Sequence, residues 1–162
     1  MLGMLLFGIC LQANADTVYL TPARFLQQCF TQVPKPAVIW LDKKIQGKIT
    51  AVLGHPYPQA RLRYWRQGDK TAWILDEVGK ESPITSAFLI QQNKIVKAAV
   101  LVYRESRGEE IHLPAFLQQF VGSVLKGNAL SQPIDGITGA TLSVGAMTRM
   151  AKTALLLNGL AQ

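Results

Sequence analysis

The sequence predicts an α+β fold, an antiparallel meander sheet of about four strands covered by helices. Three observations lead there. Four segments of β-forming residues follow one another: Arg61 to Gln67, Lys70 to Glu77, Ile84 to Gln92 and Lys94 to Tyr103. They are separated by Gln67-Gly68-Asp69, by Val78-Gly79-Lys80 and by a tight Gln92-Asn93 turn, and connections this short join only antiparallel neighbours. Elsewhere apolar residues recur at helical spacing, and 162 residues, 49% of them hydrophobic, suffice for one core but not for two sizeable ones.

From the N-terminus, Met1 to Ala15 carries no charged side chain. An apolar run, Leu2 to Leu11, precedes Ala13-Asn14-Ala15, a small-x-small cleavage site, so residues 1–15 read as a signal peptide with the mature chain starting at Asp16. The run is short for a bilayer anchor. No Lys or Arg stands before it, which leaves open a start downstream of the true one, an atypical signal, or an uncleaved N-terminal anchor. Cys10 follows Phe7-Gly8-Ile9, a poor lipobox, and the lipoprotein reading is set aside. Once the segment is removed, Cys29 is the single cysteine and reads as buried filler.

Residues 16–60 are expected to be an N-terminal helical segment packed on the same domain as residues 61–162. Thr21-Pro22 supplies an N-cap and first-turn pair, Phe25, Leu26, Cys29 and Phe30 share a helical face, and Val33-Pro34-Lys35-Pro36 ends the helix. Ala37 to Leu41 fits a short strand. Ile45, Ile49, Val52 and Leu53 then recur at helical spacing until Gly54, before the loop His55-Pro56-Tyr57-Pro58.

Within the sheet, Ile95 to Tyr103 is nearly continuous in apolar residues, as in a central strand covered on both faces. Arg61-Leu62-Arg63-Tyr64 alternates like an edge strand with one wet face. Covering helices are expected where Leu113, Phe116, Leu117 and Phe120 fall at i, i+3, i+4 and i+7. Met147, Met150, Ala151, Ala154 and Leu155 continue the pattern in a last helix capped by Asn158-Gly159, the methionines serving as core.

The net charge of +7 raises nucleic-acid binding, but the basic residues are scattered over Arg61, Arg63, Arg66, Lys94, Lys97, Arg149 and Lys152, with no run interleaved with aromatics. No nucleic-acid partner is expected. The basic surface suits an acidic redox partner or anionic lipid headgroups. His55 and His112 are too few and too far apart for a metal site, and no Cys-x-x-Cys-His stretch exists for haem. Any redox chemistry must be organic.

Asp135-Gly136-Ile137-Thr138-Gly139-Ala140-Thr141-Leu142-Ser143 sets hydroxyls among small residues just ahead of the last helix. A helix start offers unpartnered N–H groups and the positive end of the dipole, which favour an anion such as phosphate, and glycine lets the backbone approach it. The plainer reading is an ordinary helix start with Thr or Ser as N-cap. Asp135 likewise reads as an Asx-turn that shapes the loop.

This string resembles, position by position, the flavinylation motif of the FMN-binding domain family. Known members include the C subunit of the sodium-translocating NADH:quinone reductase and the G subunit of the Rnf complex. The resemblance covers roughly Thr71 to Leu157 and implies an FMN-binding-domain-like fold for 61–162, with Thr141 joined to the phosphate of FMN by a phosphoester. It implies further cofactor-binding positions at Thr138, Gly139, Ala140, Leu142 and Ser143, and recognition of Asp135 and Gly136 by a separate flavin transferase using FAD. The loop Tyr103-Arg104-Glu105-Ser106-Arg107-Gly108 resembles a Glu- and Gly-containing loop beside the flavin in that family, which selects Glu105, Ser106 and Gly108. Without the resemblance it reads as a charged surface loop.

The expected function is thus a periplasmic, exported electron-transfer flavoprotein with covalent FMN, passing electrons to or from a membrane redox partner or reductase. It is more a carrier than a catalyst. The alternatives are an exported flavin-binding sensory or interaction domain, a small flavin-dependent reductase, and a membrane-associated form. No dinucleotide fingerprint follows a strand, and two histidines with one mature cysteine supply no nucleophile, base and orienter.

Overall fold

Short turns set the topology. Gln92 and Asn93 both take positive φ, 51° and 59°, the two-residue turn whose twist matches that of the strands it joins. Those strands are β5 (Pro83–Gln91) and β6 (Lys94–Tyr103), and the computed structural model, which describes residues 16–161, places them side by side within one six-stranded antiparallel sheet. The signal-peptide, anchor and Cys10 readings lie outside the described residues. The remaining strands are β1 (Thr17–Val18), β2 (Ala37–Trp40), β3 (Arg61–Gln67) and β4 (Lys70–Val78), in the order β1-β6-β5-β4-β3-β2. Strands β2 to β6 form a meander, and β1 returns to the far side of β6 through Thr17↔Tyr103 and Val18↔Val102.

The sheet is therefore wider than the four segments expected, because the N-terminal segment adds a strand at each edge. Strand β3 is flanked by β2, with Ile39 opposite Leu62, so it is not an edge. Its alternation reports one core face and one wet face, a pattern that an edge strand and a flanked strand share. Strand β5 is buried throughout Ile84 to Ile90, and β6 is buried at Ala98 to Leu101.

Helices α1 (Pro22–Cys29), α2 (Lys43–Leu53), α3 (Pro114–Leu117) and α4 (Thr141–Leu160) cover the two faces, and β7 (Leu125–Lys126) pairs with β8 (Ala129–Leu130) outside the sheet. Thr21 caps α1 by accepting from the Arg24 N–H at 3.2 Å, and Asp42 caps α2 by accepting from the Ile45 N–H at 2.8 Å. Phe25, Leu26, Cys29 and Phe30 of the α1 region pack on Ala72, Ala87, Leu89, Ala99 and Leu101, where the small residues leave room for the two phenylalanines. Burial pushes the Cys29 thiol up to about 11, so it is an unreactive filler. On the other face Trp73, Phe88, Ile90 and Val100 meet Met147, Met150 and Ala154 of α4, with Ile49 and Leu53 of α2 alongside. Each such fully buried side chain contributes roughly 1.5–3 kcal/mol.

Two helical expectations change. The stretch from Leu113 to Phe120 is α3 between two 3-10 turns, Glu109–His112 and Gln118–Phe120, and Leu113 is 45% exposed. Pro114 causes the break: it starts a new turn and holds Leu113 extended at φ −68° and ψ 140°. Phe116 and Phe120 still reach the core, edge to face at 5.5 Å. Asn158-Gly159 does not cap α4, which runs on to Leu160. Asn158 is buried, accepts from the Thr71 hydroxyl at 2.6 Å and donates to Asn93 at 2.8 Å, tying the helix to β4 and the β5–β6 turn.

Candidate functional site

Two segments meet at one end of the sheet: the loop after β6 and the start of α4. The loop is held from three sides. Arg104 pairs with Asp16 at 3.0 Å and donates to the Pro83 carbonyl at 2.9 Å and the Thr85 hydroxyl at 3.0 Å. Glu105 turns one carboxylate oxygen onto the β4–β5 turn, accepting from the N–H groups of Lys80 at 2.5 Å, Glu81 at 2.8 Å and Ser82 at 3.0 Å. Burial pushes the Glu105 carboxyl up, and the donors from Ser82, Glu81 and Lys80 more than reverse this, holding the group below the usual glutamate value. Tyr103 donates its phenol to the Arg107 carbonyl and lies 3.0 Å from the Ser143 hydroxyl.

Gly108 closes the loop at φ +90°. A Cβ there would sit 3.0 Å from the Ala140 Cβ, the Ser143 Oγ and the Tyr103 Oη, so only glycine lets the loop lie this close beneath α4.

Upstream of α4, Ile134 and Ile137 pack on the core and anchor the motif loop, leaving Asp135, Gly136, Thr138 and Gly139 exposed. The expected Asx-turn at Asp135 is not what shapes the loop. Its backbone N–H donates to the Gln119 side chain at 2.7 Å, and Gln119 does the shaping from outside. Of the motif glycines, Gly139 takes positive φ, +81°, while Gly136 does not.

The start of α4 departs from the ordinary helix start weighed above. Its N-cap position is Ala140, at φ −121° and ψ 19°, and no side chain caps it. Thr141 is the first helical residue and is exposed; among the described hydrogen bonds, none uses its hydroxyl. Leu142 is 52% exposed, whereas Ser143 is buried and commits its hydroxyl inward to Tyr103. The first N–H groups of this 20-residue helix thus have no side-chain cap, and the positive dipole end lies behind them.

The loop and the helix start enclose a cleft of about 600 Å³ lined by Lys80, Glu105, Ser106, Arg107 and the run from Gly139 to Ser143. Thr138 and Gly108 line a smaller neighbouring hollow of about 330 Å³, which shares Ser106, Arg107 and Gly139 with the cleft. Asp135 and Gly136 line neither hollow. Sequence reasoning had no basis for selecting Lys80: only the Glu105 clamp on the β4–β5 turn carries it to this cleft. A larger hollow of about 930 Å³ lies between β2 and β3 and contains no motif residue. Chemistry rather than volume selects the smaller cleft.

That chemistry suits a flavin mononucleotide. An uncapped helix start with Lys80 and Arg107 beside it makes an electropositive mouth for a phosphate, and the Glu105 charge is taken up by three N–H donors. Ala140 and the exposed Leu142 give one apolar wall for a flat ring, and the volume lies within the roughly 300–1,000 Å³ of small-molecule sites. Among the described residues, no group of three His, Cys, Asp or Glu side chains could hold a metal ion, and no helix is long and apolar enough to cross a membrane.

Comparison with known proteins returned no matching curated protein and no matching solved structure. Residues 79–156, however, match the family model described as the FMN-binding domain. The match begins in the β4–β5 turn and ends in α4, so it spans both walls of the cleft. This segment is thus similar to the FMN-binding domain, which points to a flavin-binding protein.

Proposed function

We propose that the protein is an exported, periplasmic electron carrier with FMN held covalently on Thr141. The observation that carries this reading is the exposed Thr141 hydroxyl at the uncapped start of α4, on the wall of the electropositive cleft. Gly139, Ala140 and Leu142 shape the site around the phosphate end, and Ser106 and Glu105 form the opposite wall. Thr138 and Gly108 support it from the adjoining hollow. Asp135 and Gly136, exposed on the approach, are the surface a flavin transferase using FAD reads. In that transfer the bond from Thr141 Oγ to phosphorus forms as the bond from phosphorus to the AMP oxygen breaks, and a transferase base takes the hydroxyl proton.

Bound FMN supplies one- and two-electron redox chemistry; the chain's own residues anchor, orient and surround it. Lys80 and Arg107 place positive charge beside the helix start, where it offsets the charge of the phosphate. A covalent tether makes retention independent of affinity, an advantage wherever lost cofactor cannot be replaced from a cytosolic pool. Export rests on the apolar segment and small-x-small site of residues 1–15; retained uncleaved, the same segment gives the membrane-associated form.

The test has two stages. Coexpression with a flavin transferase, followed by proteolysis and mass spectrometry, is expected to place one flavin phosphate on the peptide containing Thr141. Stopped-flow mixing of the reduced protein with quinone and metal-complex acceptors is then expected to show electron loss. Flavin mapped to another residue overturns the attachment, and a reduced protein that keeps its electrons with every acceptor overturns the carrier role in favour of a sensor.

A further inference from the structure

Strand β2 is an outer edge of the sheet, and its register puts Val38 opposite Arg63 and Trp40 opposite Arg61. Ile39 and Leu62 turn to the core. Val38 and Trp40 turn to the other face, where they are 45% and 63% exposed. Helix α1 covers that face over Ala72, Ala87, Leu89, Ala99 and Leu101 and leaves the β2–β3 end open. The result is the groove of about 930 Å³, lined by Val38, Trp40, Gln59, Ala60, Arg61 and Arg63, two cations and no carboxylate.

The backbone of this edge is open as well. The Leu41 N–H donates to the Ala60 carbonyl at 2.9 Å, which puts Ile39 and Ala37 in phase with β3. By the alternation of an antiparallel ladder, Val38 and Trp40 then point their N–H and C=O groups outward. Edge strands are ordinarily blunted by charge or proline; Lys35 and Pro36 stand before β2, yet Ala37 to Leu41 carries neither. Arg61 extends over the Trp40 ring, its guanidinium 5.5 Å from the centroid, so a cation hangs above the open edge.

We propose that β2 is a docking edge for an extended acidic segment of a partner protein. The segment adds a strand by main-chain hydrogen bonds to Val38 and Trp40 and sets carboxylates beside Arg61 and Arg63. Charge selects this occupant. A second copy paired through β2 would bring the same groove residues, which include no carboxylate for Arg61 and Arg63, and a lipid surface suits a protruding aromatic better than a groove roofed by a guanidinium. The groove shares no lining residue with the flavin cleft, so the inference stands apart from the attachment at Thr141.

The experiment uses the full chain and a fluorescein-labelled peptide of alternating Val and Glu, with an alternating Val and Lys peptide as control. Anisotropy is expected to show the acidic peptide binding below about 1 mM at low salt and releasing at high salt. The Lys peptide should stay free. Arg61→Glu with Arg63→Glu should weaken binding by about tenfold or more. Amide hydrogen exchange at Val38 and Trp40 should slow when the acidic peptide is present.

Absence of binding, or binding without slowed exchange at those two amides, overturns the proposal. So does slowing that follows protein concentration without peptide, which assigns the edge to a second copy. Binding to phosphatidylglycerol vesicles that the arginine replacements abolish, with the peptide inert, assigns it to a membrane. Should the charge-reversed chain fail to fold, the salt dependence and the exchange pattern of the unaltered chain decide alone.

Discussion

The Tyr103 phenol and the Ser143 hydroxyl lie 3.0 Å apart, joining the end of β6 to the first turn of α4. The phenol has one proton and gives it to the Arg107 carbonyl, so Ser143 must be the donor to the phenol oxygen. Burial raises the Tyr103 phenol above its ordinary value, which keeps that proton in place at neutral pH. One side chain thereby ties the loop wall of the cleft to its helix wall.

Replacing Tyr103 with Phe leaves Ser143, which is buried, and the Arg107 carbonyl without this partner. The cost is about 1–3 kcal/mol, read as a lower urea midpoint. Flavin loading should fall with it, because the loop wall is no longer tied to the helix. Unchanged stability together with unchanged loading would remove Tyr103 from this role.

Gly108→Ala combines an unfavourable φ of +90° with three contacts at 3.0 Å. The expected penalty is about 1–3 kcal/mol, seen in thermal unfolding, with a site that loads flavin poorly even where the fold survives. Gly139→Ala also carries a positive φ, +81°, but nothing lies within 4 Å, so its cost should be smaller.

Stability should also depend on pH through His55. Its Nδ1 faces the Pro56 carbonyl at 2.9 Å and its Nε2 faces Glu77 at 3.1 Å, while Arg149 holds Glu77 from the other side at 2.9 Å. The Pro56 carbonyl first and then Glu77 raise the His55 imidazole above its ordinary value, against opposition from burial and Arg149. A raised folded value means that the stabilisation is complete below about pH 6.5 and is lost as pH climbs through the folded value. The ring is half exposed, so the effect should stay under about 1 kcal/mol. Urea titrations across this range should show a slope that His55→Gln flattens; an equal slope in both proteins would place the titration elsewhere.

Much of this fold was legible from local signals. The four meander strands and the faces of α1, α2 and α4 follow from residue periodicity and turn chemistry, which act within a few positions. The edge strands were harder. Thr17 and Val18 are too few to show a period, and β3 could not reveal its β2 neighbour from its own alternation. The amphipathic spacing from Leu113 to Phe120 carries no sign of the break at Pro114, because proline acts on the backbone whatever the side-chain pattern.

At the site, the motif from Asp135 to Ser143 stands out through its resemblance to the flavinylation motif, since its small residues and hydroxyls alone fit an ordinary helix start as well. The roles of Glu105 and Lys80 were not legible, since they depend on the β4–β5 turn meeting a loop more than twenty positions away in the chain. The same holds for Asn158, which has the look of a terminator in sequence and proves to be a buried tie.

The most direct measurement concerns the side chain at position 141. The chain and its Thr141→Ala variant are each produced with a flavin transferase, denatured, separated on a gel and viewed for flavin fluorescence. A bright band for the unaltered protein and a dark one for the variant is the expected result, with Thr141→Ser retaining some signal through its hydroxyl. A dark band for the unaltered protein, or a bright one for Thr141→Ala, would contradict covalent attachment at this threonine.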